Sequence, residues 1–278
     1  MSDAPSPEPA APVGVDTTVP SPARLYDYYL GGKNNYAVDR QMGDKLMEAL
    51  PEVRQAAKVN RLFLGRAVEF LCEQGIDQFV DIGSGLPTQD PVHEVARRHH
   101  PRARVVYVDY DPVVRVHAEA LLADEPELTG VVQADMRDPE SLYTHRELAS
   151  RIDLDRPVGL LMLAVLHFVT DDQQPYALLR RHLEHLAPGS YVAITHGESD
   201  TSPDRADVAR DAYRSSSARL QPRSQEQIKA FFADLAPVPP GVVHAADWRP
   251  RGTEPYFSPE QASGLAGIGR WDGAPERP

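Results

Sequence analysis

The amino-acid sequence predicts an α/β fold in which a mostly parallel sheet carries helices on both faces. From residue 76 onward, short apolar runs alternate with helical patterns, which is the rhythm of β-α-β units. The run from Val158 to Leu166 is almost wholly apolar, as expected of a strand that is buried on both faces. Glycine or aspartate follows several of these runs, where strand-to-helix turns are needed.

The chain before residue 76 predicts a tail and a helical extension. Five prolines among alanine, serine and aspartate predict a disordered tail over residues 1–20. Residues 21–75 are expected to form a helical cap, because apolar residues from Val53 to Leu71 recur at helical spacing and Gly75 can end that helix. The predicted helices are Pro22–Leu30, Asp39–Leu50 and 52–74.

The main domain is expected over residues 76–271, followed by a short tail over residues 272–278. A Ser-x-x-Gln capping box at Ser224 predicts the start of its last helix. The predicted strands are 78–82, 104–109, 130–135, 158–166, 190–195, 240–244 and 264–271. The predicted helices of this domain are 91–100, 112–122, 172–186, 203–220 and 225–235.

Composition limits the class of protein. The chain has 278 residues, of which 41% are hydrophobic and 25% are charged, as in globular proteins with a sizeable core. Its 29 basic and 41 acidic residues give a net charge of −12, which disfavours binding to a nucleic-acid backbone. The single cysteine, Cys72, excludes an intramolecular disulfide framework and a cysteine-rich zinc cluster. Apolar runs are too short for a membrane span and the N-terminus has no signal-peptide pattern, so a cytoplasmic protein is expected.

Residues at three predicted strand ends point to a nucleoside site. Gly83 and Gly85 follow the first strand and allow the backbone to turn close to a ligand. Asp109 ends the second strand, where a carboxylate can accept both hydroxyls of a ribose. Asp135 and Met136 follow the third strand and can meet an adenine edge. Each feature alone is more typical of a turn or a helix cap, but together they predict an adenosine pocket.

Two cofactor classes compete for this pocket. A dinucleotide site needs the pattern Gly-x-Gly-x-x-Gly, with the pyrophosphate at the helix N-terminus, and Thr88 stands in place of the third glycine. S-adenosylmethionine has no pyrophosphate and needs a tight turn, a ribose carboxylate and an adenine slot. The sequence therefore favours S-adenosylmethionine. The Gly31-Gly32-Lys33 stretch does not match an ATP-type phosphate loop.

Several uncommon sequence words, in order, support this choice. These motifs are Ala23-Arg24-Leu25-Tyr26-Asp27-Tyr28-Tyr29-Leu30-Gly31-Gly32-Lys33-Asn34-Asn35, Asn60-Arg61, Asp81-Ile82-Gly83-Ser84-Gly85-Leu86-Pro87-Thr88, Val108-Asp109-Tyr110-Asp111-Pro112, Ala134-Asp135-Met136-Arg137 and Ala164-Val165-Leu166-His167-Phe168. Through them, the chain between about residue 21 and residue 271 resembles a family of actinobacterial S-adenosylmethionine-dependent methyltransferases, many of unassigned substrate.

The resemblance implies a fold and a set of roles. The implied fold is the Rossmann-like class I methyltransferase fold, with seven strands of which the last is antiparallel, and an N-terminal helical extension over the cofactor. By motif, the methionine side is lined by Asp81, Gly83 and Gly85, the ribose is held by Asp109, and the adenine is held by Asp135 and Met136. Ser84 and Tyr110, within the same motifs, are also expected to bind the cofactor.

Arginine and histidine residues supply further candidates. Arg24 and Arg61 are candidates for the methionine carboxylate, since guanidinium groups pair with carboxylates, although helix arginines are more often solvated or salt-bridged. His167, just past the fourth strand, is a candidate general base for the acceptor. Its alternative role is a hydrogen bond to a neighbouring loop. Methyl transfer can also proceed by positioning alone, without an acid or a base. The pairs His99-His100 and His182/His185 are interpreted as exposed helix residues, so no metal is expected.

Three residues are candidates for substrate binding. Tyr26 and Tyr28 lie in the N-terminal motif and are either part of a closing surface or ordinary packing residues. His196 follows the fifth strand at the ligand edge and is either a substrate contact or a loop residue.

The predicted function is methyl transfer from S-adenosylmethionine to a small-molecule acceptor, with secondary metabolism as one setting. The main alternative is an S-adenosylmethionine-binding sensor or partner subunit without catalysis, and a weaker one is a nicotinamide oxidoreductase. The protein is expected to be a monomer or homodimer that binds neither nucleic acid nor membrane.

Overall fold

A computed structural model describes residues 15–87, 90–122, 126–262 and 264–274. Most of the predicted N-terminal tail, Thr88 and the end of the C-terminal tail therefore lie outside the described residues. The helices are α1 Pro22–Tyr29, α2 Ala37–Ala49, α3 Val53–Glu73, α4 Val92–Arg97, α5 Pro112–Leu121, α6 Pro139–Tyr143, α7 Arg146–Ala149, α8 Pro175–Glu184, α9 Pro203–Ala212, α10 Gln225–Ala230 and α11 Pro259–Ala262. The strands are β1 Gln78–Ile82, β2 Arg104–Asp109, β3 Thr129–Gln133, β4 Gly159–Leu163, β5 Ser190–Gly197, β6 Ala236–Pro237, β7 Val243–His244 and β8 Gly264–Trp271.

The strands form one sheet in the order β3-β2-β1-β4-β5-β8-β6, and β7 also pairs with β8. Strands β1 to β5 are mutually parallel, whereas β8 runs antiparallel to β5. This confirms the predicted methyltransferase-like α/β fold, with eight strands in place of seven. The chain order reverses between β1 and β4, and such a reversal opens a crevice at the carboxyl ends of the strands.

Alternating side chains of the central strands enter two separate cores. Phe79 of β1 and Leu161 of β4 pack on one face of the sheet, in the cluster that contains α3 and α4 residues. Val80 and Leu160 point to the other face, which is covered by α6, α7, α8 and the residues that follow α10. Every residue of β1 and β4 is buried, which explains why these strands read as continuous apolar runs.

The first two helices lie at the carboxyl edge of the sheet and form a third apolar cluster with Ala57 and Tyr213. A buried polar contact joins this region to the sheet, because the Ser21 amide and hydroxyl donate to Asp39 and Asp111 respectively. Arg24 donates to the carbonyl oxygens of Asp16 and Val19, so the chain contacts α1 within the segment predicted as tail.

The Gly-Gly-Lys-Asn-Asn motif after α1 forms a turn around Asp27. One Asp27 oxygen accepts hydrogen bonds from the Asn34 amide and the Asn35 side chain, at 2.9 Å each. A Cβ atom on Gly32 would lie 2.0 Å from the other Asp27 oxygen, so only glycine fits there. The structure thus gives this motif a local folding role.

Several predicted elements are longer than the observed ones, among them β4, α9 and α10. β4 ends at Leu163 because Ala164 adopts a left-handed conformation with φ of 53°. α9 ends at Ala212, since the following serines bond their own backbone: the Ser216 hydroxyl donates to Tyr213 and Ala218 carbonyl oxygens. α10 ends at Ala230, five residues earlier than predicted.

The predicted strand over residues 240–244 is replaced by the short strands β6 and β7. Prolines at 239 and 240 cannot donate to a sheet, so pairing with β8 is interrupted there. The short helices α6, α7 and α11 were not predicted. Within the described ranges, no helix is both long and apolar enough to cross a bilayer.

Candidate functional site

A cavity of about 590 Å³ opens at the carboxyl ends of the parallel strands. We divide its walls into two halves. The strand-end half is lined by residues at or just after the carboxyl ends of β1, β2 and β3, namely Asp81, Gly83, Ser84, Gly85, Asp109, Tyr110, Asp135 and Met136. The helical half is lined by residues of α1–α3, α9 and the loops beside them, chiefly Tyr29, Leu46, Leu50, Val53, Phe168, Ala206, Ala209, Tyr213 and Leu220.

The turn after β1 is fixed from two sides. The amides of Gly83 and Ser84 both donate to the carbonyl oxygen of Val108, at 2.8 and 3.2 Å. Gly83 has a φ of 67°, and a Cβ atom there would lie 2.2 Å from a methyl group of Val165. The position therefore requires glycine both for its backbone conformation and for the close approach of the β4 loop.

Asp109 is held at the end of β2 by backbone groups. One carboxylate oxygen accepts the Gly85 amide at 2.9 Å, and the other accepts the Asp111 amide at 3.0 Å. Burial raises the pKa of Asp109 to about 6, although these amides oppose the shift. Each oxygen keeps lone pairs that can accept further hydrogen bonds from a ligand hydroxyl.

Asp81 lies beside Asp109 at the end of β1. It is 4% exposed, and burial raises its pKa to about 7, with Arg61 lowering the pKa and Asp109 raising it further. A buried carboxylate of this kind is ready to receive a cationic group, because such a partner removes the cost of burying the charge.

The segment after β3 is tied to a buried histidine. The guanidinium of Arg137 donates from Nε to both Asp135 oxygens, at 2.8 and 2.9 Å. Burial alone would raise the pKa of Asp135, but the hydrogen bonds and charge of Arg137 lower it overall. His182 Nε2 lies 2.8 Å from the Met136 carbonyl oxygen, and Tyr143 lies on the other ring nitrogen. His182 is fully buried, so its predicted exposure is wrong.

The two predicted arginines lie in different places. Arg61 lines the cavity, donates to the Leu86 carbonyl oxygen at 3.2 Å and stacks over Tyr26. Arg24 is 3% exposed and lies outside the cavity wall, where its Nε is 3.2 Å from Asp39. The structure therefore does not bring Arg24 to the site, because packing of α1 against α2 gives it an internal carboxylate partner.

A directed chain of hydrogen bonds crosses the boundary between the two halves. The Tyr26 hydroxyl donates to the Ala57 carbonyl oxygen, and Asn60 donates to the Tyr26 oxygen at 2.9 Å. The Thr195 hydroxyl donates to the Asn60 side-chain oxygen at 2.7 Å and accepts the Ala164 amide at 2.7 Å. This chain fixes α1, α3, β5 and the end of β4 relative to one another.

His167 lines the cavity where β4 ends. Its Nδ1 accepts the Gly197 amide at 3.3 Å, so the neutral ring carries its proton on Nε2. Burial and then Arg223 lower the pKa of His167 to about 3. The neutral ring is a hydrogen-bond donor and a weak base, which favours the positioning alternative over general-base catalysis.

His196 also borders the cavity, but both of its ring nitrogens are engaged. Nδ1 lies 2.8 Å from the Gly197 carbonyl oxygen and Nε2 accepts from Arg223 at 2.8 Å. Arg223 is 1% exposed and also donates to the carbonyl oxygens of Leu166 and Val169 and to Asp171. It therefore holds the loop after β4, which carries His167, against β5.

The two remaining predicted residues lie at the rim or outside. Tyr110 is 46% exposed and its hydroxyl lies 2.8 Å from Ser217, in the segment after α9. The Tyr28 hydroxyl donates to the Asp44 carboxylate at 2.7 Å, and Tyr28 does not line the cavity.

The sequence did not predict four residues of the site region, namely Asn60, Arg223, Phe168 and Tyr213. Of these, Asn60 could have been found, since it directly precedes Arg61 in a motif that resembles the family. Within the described ranges, no group of three metal-binding side chains is present.

Two crystal structures are similar to this chain over nearly its full length. A DUF574 family protein from Streptomyces avermitilis is 37% identical, with a TM-score of 0.88, and the match covers 92% of this chain and 99% of that chain. A Thermobifida fusca protein, provisionally described as a methyltransferase, is 40% identical, with a TM-score of 0.87 and coverage of 94% and 98%. An O-methyltransferase family protein from Burkholderia thailandensis shares the fold at 12% identity and a TM-score of 0.51, covering 79% and 60%.

No curated protein matches the chain. A family described as S-adenosyl methyltransferase matches residues 8–272, which is nearly the whole sequence. This match confirms the resemblance seen in the sequence words and the predicted cofactor, S-adenosylmethionine. The chain therefore belongs to the S-adenosyl methyltransferase family.

Proposed function

We propose that this protein transfers the methyl group of S-adenosylmethionine to a small-molecule acceptor that binds in the helical half of the cavity. The observation that carries the proposal is the continuity of the cavity. One space joins the strand-end carboxylates to the apolar helical half, so a cofactor and an acceptor can meet inside it.

The strand-end half fits the cofactor. Asp109 has free lone pairs for ribose hydroxyls, and the glycine turn leaves room for a ligand beside Asp81. Asp81 would take the amino group of the methionine moiety, with Arg61 beside its carboxylate, and the segment from Ala134 to Met136 would border the adenine. Bound there, S-adenosylmethionine supplies an electrophilic methyl group on a sulfonium sulfur.

The acceptor would be aligned by groups at the boundary between the halves. His167 would donate a hydrogen bond from Nε2, because its Nδ1 is engaged by Gly197. The chain from Tyr26 through Asn60 to Thr195 would hold α1 and α3 at a fixed distance from β4. Catalysis then depends on alignment and on exclusion of water, and no strong base is required.

Transfer of a radiolabelled methyl group tests the proposal. Purified protein is incubated with methyl-labelled S-adenosylmethionine and low-mass extracts from actinobacterial cultures, and label is followed into extractable products. We expect label in a product below the mass of a protein, and none with the Asp109→Ala variant. Tight binding of S-adenosylhomocysteine with no label in any product would favour the sensor or partner-subunit alternative.

Four further expectations from the sequence stay predictions. They are a cytoplasmic location, a role in secondary metabolism, a monomeric or homodimeric state, and the lack of binding to nucleic acid or membrane.

A further inference from the structure

The walls of the helical half belong to an apolar cluster that borders the cavity. The third apolar cluster contains residues from α1, α2, α3, α9 and the loop after β4. Several members of this cluster also line the cavity, namely Tyr29, Leu46, Leu50, Val53, Phe168 and Tyr213. An apolar cavity holds water poorly, so an apolar occupant would be favoured there.

Charged groups beside this half already have partners or lie in solvent. Glu52 and Arg205, which both line the cavity, form an ion pair at 3.2 Å. Glu198 is buried, and its carboxylate accepts the amides of Asp200 and Thr201 at 2.7 and 3.0 Å. Asp172 and Arg219 are exposed at the rim. An anionic acceptor would thus lose its hydration without gaining an opposite charge, and a cationic one would meet Glu198, whose carboxylate is already held by two amides.

The shape of the half is set by aromatic rings. Phe168 and Tyr213 lie with ring centroids 5.6 Å apart and planes tilted by 46°. Ala206 and Ala209 line the cavity on the same face of α9 as Tyr213, which caps this helix, so two small side chains stand beside the aromatic pair. A wall of aromatic rings and small residues suits stacking of a flat ring against it.

From these observations we propose that the methyl acceptor is an uncharged molecule with an apolar, ring-containing body, which lies against the wall formed by Phe168, Tyr213 and the two alanines of α9. This proposal rests on the proposed function, because it assigns the helical half to the acceptor. It makes Ala209 a specificity-determining position, since a larger side chain there would fill the space for the ring.

Matched naphthalene compounds test the charge requirement. The probes are 2-naphthol, the anion 2-naphthoate and the cation 2-naphthylmethylamine, titrated by calorimetry at pH 7 into protein saturated with S-adenosylhomocysteine. We expect 2-naphthol to bind at least ten-fold more tightly than either charged compound. The three compounds share a naphthalene ring, and only 2-naphthol can enter the cavity without the cost of burying a charge.

Two variants on one helix locate the binding. Ala209→Trp should weaken 2-naphthol binding at least ten-fold and leave S-adenosylhomocysteine affinity within about two-fold. Val208→Trp is the matched control, because Val208 lies on the same helix but is 42% exposed and does not line the cavity. It should change neither affinity.

The outcomes separate the two proposals. Preferred binding of a charged probe, or equal effects of the two tryptophan variants, would overturn the acceptor assignment while S-adenosylhomocysteine still binds. The same holds if S-adenosylhomocysteine binds but 2-naphthol does not. Failure of S-adenosylhomocysteine itself to bind would instead overturn the proposed function.

Discussion

The strand-end half and the helical half of the cavity are built in different ways. The strand-end half is made of short turns, in which carboxylates accept amides from nearby loops, as Asp109 does from Gly85 and Asp111. The helical half is made of side chains brought together from distant segments, such as Tyr29 of α1, Phe168 of the loop after β4 and Tyr213 at the end of α9. The strand-end half is therefore encoded in short sequence motifs, whereas the helical half depends on how the helices pack.

The largest contrast is expected between two glycines of the strand-end half. Gly83→Ala should lower the free energy of unfolding by about 3 kcal/mol, since it combines a left-handed strain with a clash against Val165. Gly85→Ala should cost about 1 kcal/mol, because its Cβ would contact nothing and only the strain remains. Urea denaturation of both variants measures the difference, and equal losses would show that the contact with Val165 does not matter.

The hydrogen bonds from Tyr26 through Asn60 to Thr195, which join the two halves, should give the next largest loss of stability when they are removed. Asn60→Leu removes the acceptor of the Thr195 hydroxyl proton and the donor to the Tyr26 oxygen, and the loss of these two hydrogen bonds costs about 1–3 kcal/mol of stability. Thr195→Val should cost a similar amount, and the double variant less than the sum, because the pair is shared. Thr144→Val, at an exposed helix end, is the control and should change little. Additive losses in urea denaturation would contradict a shared network.

These contrasts also explain how much of the molecule could be predicted. β2 and β8 have the predicted limits, because apolar runs bounded by polar residues or glycine define them. Asp81, Gly83 and Asp109 meet in the structure because the carboxyl ends of parallel strands share one edge. Arg24 was misplaced, since its partner Asp39 comes from a separate helix.

The unpredicted residues share a physical reason. Arg223 forms hydrogen bonds with His196 and with two carbonyl oxygens that lie more than 50 residues earlier in the chain. No local sequence pattern indicates such contacts. Burial of His182 is likewise decided by α8 packing over the Met136 segment. Tyr28 differs from Tyr26 only by its face of α1, and a short helix gives too few positions to tell which face is inside.

The strand-end carboxylates should give the protein without ligand a distinctive pH dependence. Burial raises the pKa of Asp81 from 3.8 to about 7 and that of Asp109 from 3.8 to about 6. The folded state then binds these protons more tightly than the unfolded state, so their stabilising contribution is full below pH 3.8 and is lost as pH rises toward about 7.

Asp81→Asn should flatten this decline, because the neutral amide does not titrate. The measurement is the free energy of unfolding between pH 4.5 and pH 8, with Asp234→Asn as a control at an exposed ion pair. An unchanged slope in Asp81→Asn would show that Asp81 is ionised in the folded protein throughout this range.

The smallest effect is expected behind the strand-end half. Tyr143→Phe removes the hydrogen bond to His182, which in turn holds the Met136 carbonyl oxygen. We expect the affinity for S-adenosylhomocysteine to fall by about three- to ten-fold, the equivalent of one hydrogen bond, with the rest of the site intact. Tyr176→Phe, an exposed tyrosine outside the cavity, should leave the affinity unchanged. A loss of stability without a loss of affinity would make His182 a packing residue only.

Calorimetric titration with S-adenosylhomocysteine tests the central claim most directly. The account predicts tight one-to-one binding to the wild-type protein and at least a roughly 100-fold loss in Asp109→Ala, because two hydrogen bonds to a buried carboxylate are removed. Asp234→Ala should bind like the wild type, and circular dichroism would show that all three proteins are folded. Equal binding by Asp109→Ala and wild type, or none by folded wild type, would contradict the assignment of the strand-end half to the cofactor.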